Sequence, residues 1–311
     1  MAKLRRNHQE TKKGLSGFYP KFTILAGVLI LIVALFSKRI LPDFTTIQSW
    51  EEGWQILDID EYDSLSTFEK GFLPYAAYGE VVIDPRYSLA YSEAHEQAIW
   101  VAYELTKERL NRRNATRNNW FEEDKRITTG SALHADYIRS GYTRGHLAPA
   151  EDFAYDQEAM DHTFLMSNIS PQLSGFNGGI WRELEELIRD WTRHNDRLII
   201  TTGPVFFEGQ EIEYIGKNKV AVPHAFYKVI LDIDLPEQKG IGFVIPHAVS
   251  DQPLSQYATT IRFVEELTNI DFFMDYIPQP LQDSIENNFD INQWAFSDRK
   301  FRLRVTKWNK D

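Results

Sequence analysis

The stretch from Ser140 to Trp191 constrains this chain more than any other. Arg144 and His146 stand two residues apart near its start. On an extended segment both side chains share one face, and Gly145 between them allows close approach of other backbone. Further on, Ile180, Leu184, Leu187, Ile188 and Trp191 recur at helical spacing, which predicts an amphipathic helix with that stripe in the core. On the same wheel, Asn177, Glu185 and Arg189 fall within an arc of about 120° beside the stripe, where they can line one edge of a cleft.

These residue types suit one kind of chemistry. A neutral imidazole at His146 can take a proton from water near neutral pH. Arginine offers a planar fork for phosphate oxygens. Asn177 and Glu185 offer hard oxygen donors. They lie about 12 Å apart in rise on a continuous helix, too far to sit side by side on one ion. Asn177 is therefore assigned as the direct ligand and Glu185 as the group that orients metal-bound water; magnesium keeps several waters and few protein ligands. Together the set points to metal-assisted cleavage of a phosphodiester. Plainer readings stand beside it. A lone histidine is more often structural, and the polar arc also fits the solvated edge of an ordinary helix. Asn168 and Gln172 flank Pro171 in a loop, where they either support the site or satisfy backbone groups. A rival zinc site drawn from His134, Asp136, His146 and His162 matches no tight ligand spacing.

The rest of the chain supplies the setting. Phe22 to Ser37 carries no charge and follows the basic residues 1–21. It is read as an uncleaved single-pass anchor in preference to a cleaved signal or a core helix, being slightly short for a span but flanked by Lys21 and Lys38. The flanking charge places the N-terminus in the cytosol and the body on the other side, in a bacterial periplasm or outside the cell. Residues 38–74 form a tether and lead-in, and residues 75–311 the functional domain. Strands are predicted at 81–83, 99–105, 198–207 (broken by Gly203-Pro204), 219–222, 226–231 and 240–245, with a helix over 255–268. Strands in local runs without a regular βαβ rhythm indicate an α+β domain with an antiparallel sheet. Arg109, Arg112, Arg113 and Arg117 are read as a solvated loop, with a substrate-facing basic edge as the alternative. No cysteine is present, which excludes disulfides, thiolate metal sites and a cysteine nucleophile. The net charge is −11. Residues 1–39 hold eight Lys/Arg and one acid, leaving 26 Lys/Arg against 44 acids in the remainder. An acidic body argues against sequence-independent coating of nucleic acid, though not against a local basic groove.

Several ordered blocks resemble the DNA/RNA non-specific endonucleases, the ββα-metal nucleases that include endonuclease G. Thr143-Arg144-Gly145-His146, followed by Leu147-Ala148-Pro149-Ala150, is similar to the family's Asp-Arg-Gly-His signature. Ser167 to Gln172, Asn177 and Trp181 to Glu185 are similar to its second block, and the resemblance runs over about residues 75–280. It implies a ββα-metal fold, a central antiparallel sheet flanked by helices, with the histidine on a β-hairpin and the asparagine on the following helix. It implies His146 as general base, Asn177 as the protein ligand of Mg2+ (or Mn2+), Glu185 holding metal-bound water, Arg144 and Arg189 as cations near the scissile phosphate, and Asn168 as a supporting residue. DNA and RNA are the implied substrates, cleaved with little sequence specificity, and a homodimer is a further candidate assembly. Thr143 departs from the signature's aspartate: it can hydrogen-bond but supplies no charge. Two other readings are carried. One is a catalytically silent relative that binds nucleic acid or a partner protein. The other is a metal phosphodiesterase for small or lipid substrates.

Overall fold

The computed structural model describes residues 73–274 and 276–310. The expected anchor at 22–37 and nearly all of the tether lie outside the described residues. Among those described, no helix is long and apolar enough to cross a membrane.

A seven-stranded antiparallel sheet organises the domain. Its strands are β1 (Glu80–Val82), β2 (Ser88–Ser92), β3 (Gln97–Thr106), β6 (Arg197–Val205), β7 (Ala225–Asp232), β8 (Lys239–Pro246) and β9 (Ala258–Thr259). The hairpin strands β4 (Thr143–His146) and β5 (Ile169–Gln172) form a separate pair. The order across the main sheet is β9-β8-β7-β6-β3-β2-β1. Central strands β3, β6 and β7 are rich in Val, Ile, Thr and aromatics, which pack well on a pleated surface. Both faces are covered, so these strands read as continuous apolar runs. Alternation still separates the faces. Phe226 and Ile230 of β7 point into one core, with Trp181, Leu184 and Trp191. Tyr227, Val229 and Leu231 point into the other, with Ile261, Val264 and Phe272.

Four longer helices complete the layers: α1 (Arg182–Asn195), α2 (Ile261–Thr268), α3 (Gln279–Asn287) and α4 (Asp298–Thr306). The predicted core stripe of α1 is borne out, since Leu184, Leu187, Ile188 and Trp191 are all buried. Residues Ile261 and Val264 of α2 and Ile285 of α3 cover the opposite sheet face.

Three sequence expectations change. The strand at 198–207 is not broken at Gly203-Pro204: β6 runs through both. Pro204 lies past Thr202, the last residue paired to β3, and has only β7 alongside, an edge-like position where a missing N–H is tolerated. The helix over 255–268 starts only at Ile261, where the Thr260 hydroxyl accepts from the Phe263 N–H and caps it; the preceding residues form a short 3-10 turn and a bridge to β8. The helix from Phe176 to Trp191 divides into a π turn over Phe176–Trp181 and then α1, with Gly179 at φ −98°, ψ −110°.

Candidate active site

His146 ends β4, which pairs with β5 through Arg144 opposite Pro171 and Gly145 opposite Ser170. Gly145 is required by a side chain rather than by a turn. A Cβ built there would stand 2.1 Å from Gln172 Oε1, so the buried Gln172 amide occupies the place of any larger residue. The extended strand puts Arg144 and His146 on one face, as the spacing predicts: the Phe121 ring lies 4.4 Å from the Arg144 guanidinium and 5.7 Å from the imidazole. Phe164 packs beside Phe121, its ring 4.9 Å from the imidazole in a T-shaped contact. His146 Nε2 is buried and has no hydrogen-bond partner. Burial first, then the charges of Arg117 and Arg144, push its pKa down to about 3. The imidazole is thus neutral across the physiological range and able to accept a proton.

The π turn after β5 presents Asn177. Its Nδ2 donates to Thr143 Oγ1 at 3.0 Å, while the Thr143 hydroxyl donates to the Gln172 carbonyl at 2.8 Å. That pairing turns the Asn177 oxygen away from Thr143 and leaves it as the free donor. Threonine at the signature's aspartate position therefore does a bracing job that needs no charge.

Glu185, Arg189 and a buried network complete the wall. Arg189 Nη1 donates to Asp152 Oδ1 at 2.8 Å, and the Tyr103 hydroxyl donates to Asp152 Oδ2 at 2.9 Å. Beneath them lies Lys228, fully buried on β7. Its Nζ donates to the Leu147 carbonyl at 3.1 Å and Thr202 Oγ1 at 3.2 Å, and sits 4.5 Å from the Trp181 ring. Burial raises the Glu185 pKa against the pull of Lys228 and Arg189, and burial lowers that of Lys228 against the pull of Glu185.

His146, Arg144, Asn177, Glu185 and Arg189 meet on one cleft of about 800 Å³. Asn168 does not reach it. Its side chain is fully buried, with Nδ2 donating to the carbonyls of Ala148 and Thr163 and Oδ1 accepting from Ala148 N–H. It ties β5 to the loop after His146, so its part is to satisfy backbone groups. The proposed zinc set does not assemble either. His134 is bonded by Arg144, His162 by Arg86, and Asp136 accepts from the Lys217 and Asn218 amides.

The reading of the 107–117 segment as a solvated loop is also revised, because Arg113 and Arg117 line the cleft. Counting them, the lining holds seven Arg/Lys against four carboxylates, so an acidic body carries a locally positive cleft. Lys228, Asp152 and the cleft-lining Lys300 and Trp308 were not picked out from sequence. Lys228 had a signal: a cation in phase with Phe226 and Ile230 on an apolar strand is either paired or functional. Asp152 had none, since nothing local shows that it meets Arg189.

The donor set suits a hard divalent cation. The Asn177 amide oxygen and the Glu185 carboxylate face one cleft, no sulfur is near, and among the described residues Glu185 makes no hydrogen bond or direct ion pair of its own.

A neutral histidine beside arginines, over oxygen donors in a positive cleft, defines a phosphodiester-cleaving class of site. Residues 66–277 match the family described as DNA/RNA non-specific endonuclease. The chain is 36% identical over 198 residues to mitochondrial endonuclease G of Homo sapiens, covering 60% of this chain and 67% of that protein. It is 34% identical over 209 residues to a nuclease of Syncephalastrum racemosum, covering 60% and 65%, and 33% identical over 202 residues to mitochondrial nuclease EXOG of Mus musculus, covering 60% and 55%. A solved chain from an EndoG/EndoGI complex superposes with a TM-score of 0.62 at 30% identity, covering 70% of this chain and 94% of that one. The chain belongs to the DNA/RNA non-specific endonuclease family, a family of hydrolytic nucleases.

Proposed function

We propose that this protein is a divalent-metal-dependent endonuclease that hydrolyses phosphodiester bonds of DNA and RNA with little sequence preference. The observation that carries the reading is the convergence on one cleft of a neutral, partner-free His146, the Asn177 oxygen, Glu185, and the cations Arg144 and Arg189. Arg144 and Arg189 orient and neutralise the phosphate. His146, which burial keeps in its neutral form, removes a proton from the attacking water. Asn177 would hold Mg2+ or Mn2+, with Glu185 orienting the water around it, and the ion would stabilise charge on the phosphate and the leaving oxygen. Lys228 and Arg189 keep Glu185 in an electropositive surrounding, partly offset by Asp152. The family and the locally positive cleft support a polymeric nucleic acid substrate over a small diester.

The test is cleavage of supercoiled plasmid and single-stranded RNA by the purified chain, with magnesium and with chelator, beside His146→Ala. Metal-dependent cleavage of both, lost in the variant, is expected. Turnover that persists in chelator or in His146→Ala contradicts the reading.

Anchoring through residues 22–37, with the catalytic domain on the non-cytosolic side, is part of the same proposal. It is supported by the uncharged run and its flanking basic residues. Protease accessibility of the domain in intact cells, before and after permeabilisation, tests it; protection under both conditions speaks against it.

A further inference from the structure

The family match ends at residue 277, yet the segment beyond it reaches the site. Lys300 and Trp308 line the cleft. On α4, Lys300 Nζ donates to the Glu186 carbonyl at 2.9 Å and to Asp190 Oδ2 at 2.5 Å. These partners adjoin Glu185 and Arg189 in sequence. One turn further along α4, fully buried Arg304 pairs with Glu183 at 2.5 Å and donates to the Ser250 and Gln252 carbonyls. Trp308 lies under the Arg182 guanidinium at 4.3 Å.

Asn309 completes the contact at the bend between the two metal-site residues. Its Nδ2 donates to the Ser250 carbonyl at 2.9 Å and to Asp251 Oδ1 at 2.8 Å. Its Oδ1 is buried without a partner and stands 2.7 Å from where a Cβ on Gly179 would be. Gly179 carries the non-helical φ/ψ that separates the π turn holding Asn177 from α1 holding Glu185. The segment thus touches positions 179, 182, 183, 186 and 190, a single lateral face of the bent helix. The core stripe uses the opposite face, and the cleft runs between this face and the edge that carries Asn177, Glu185 and Arg189, with Arg182, Glu186 and Asp190 lining it too. Held on the core side and on the side of residues 298–310, the helix has little freedom to straighten or roll.

We infer that residues 298–310 are a positioning element for the metal site: Asn309 packed on Gly179 and Lys300 clamped on Glu186 and Asp190 set the spacing between Asn177 and Glu185. The inference rests on the proposed metal-site reading. Outer groups that orient metal ligands change affinity by about 10- to 100-fold when removed, so the effect belongs in metal binding before any turnover.

The experiment titrates the full chain with Mn2+ alone, without nucleic acid, and counts free Mn2+ by electron paramagnetic resonance. Asn309→Ala and Lys300→Met are expected to weaken binding about tenfold. Lys300→Arg, which can remake both bonds, restores it. Arg302→Ala, exposed on the same helix, binds as the parent does. Thermal melts accompany each titration, and Asn309→Ala carries the test if Lys300→Met does not fold. Parent-like Mn2+ binding in Asn309→Ala and Lys300→Met, with binding lost in Asn177→Ala, overturns the positioning role and leaves the metal site standing. Parent-like binding in Asn177→Ala overturns the site assignment and the inference with it.

Discussion

Thr143→Val is the most informative single change. The substitution is nearly isosteric and removes only the hydroxyl, which makes two hydrogen bonds: one given to the Gln172 carbonyl and one taken from Asn177 Nδ2. Each bond is worth about 1 kcal/mol net, and Thr143 is half-buried, so water replaces part of the loss. A destabilisation of about 1–2 kcal/mol follows, which lowers the melting temperature by roughly 2–8 °C in a domain of this size. The effect on the site is larger than the effect on the fold. Without Thr143 Oγ1 the Asn177 amide is free to rotate, and its oxygen is no longer held toward the cleft. The magnesium concentration for half-maximal plasmid cleavage is expected to rise about tenfold or more, with the rate at saturating metal much less changed. Thr143→Ser keeps both bonds and stays close to the parent. Thr143→Asp keeps the bond from Asn177 but sets a carboxylate against the Gln172 carbonyl, so it retains metal response and loses stability. A Thr143→Val enzyme with parental metal response and lowered stability would refute the argument, because Thr143 would then be scaffold only.

Other outcomes follow from the same geometry. His146 has a folded pKa far below its unfolded value of about 6.5, so the unfolded chain binds a proton that the folded chain refuses as pH falls from about 6.5 toward 3. Between about pH 7.5 and pH 5 the parent therefore loses ~2 kcal/mol more stability than His146→Asn, measured by denaturant unfolding at each pH; equal pH slopes would show that His146 is not held neutral. Lys228→Met removes the buried cation that holds the Glu185 pKa down, so the acid limb of cleavage moves to higher pH; a shift to lower pH reverses the assigned sign. Gly145→Ala drives a Cβ into Gln172 and costs about 1–3 kcal/mol by overpacking, seen as a lowered denaturant midpoint without change in slope. Raising ionic strength is expected to raise KM for plasmid steeply with a smaller effect on kcat, as the positive cleft is screened; salt-independent KM would show that the cleft charge does not engage the substrate.

What was legible in the sequence was periodic or local. The apolar runs of β3 and β7 and the stripe of α1 survive because both faces of those central strands and one face of the helix must be buried whatever the tertiary detail. The placement of Arg144 beside His146 survives for the same reason, since two residues on an extended strand share a face. The wheel that grouped Asn177 with Glu185 reached the right grouping by way of the wrong geometry. It assumed one continuous helix, whereas the chain bends at Gly179, where contact with Asn309, 130 residues away in sequence, leaves no space for a side chain. Asn168 stayed between two readings because an asparagine in a loop gives the same sequence signal whether it faces a cleft or bonds three backbone groups. Lys228, Asp152 and Lys300 act through partners far away in the chain, and no local pattern announces such pairs. The role of Thr143 was undecidable for a related reason: whether charge or a hydrogen bond is needed depends on what lies opposite, and that is Gln172 and Asn177 together.

The measurement that bears most directly on the central claim is magnesium-dependent nicking of supercoiled plasmid by the parent and by Asn177→Ala, run side by side across a range of magnesium. The parent is expected to nick the plasmid in a reaction that vanishes in chelator, and the variant to lose nicking or recover it only at much higher magnesium. Equal nicking by the two proteins at every magnesium concentration contradicts the assignment of Asn177 as the metal ligand and, with it, the site built around that residue.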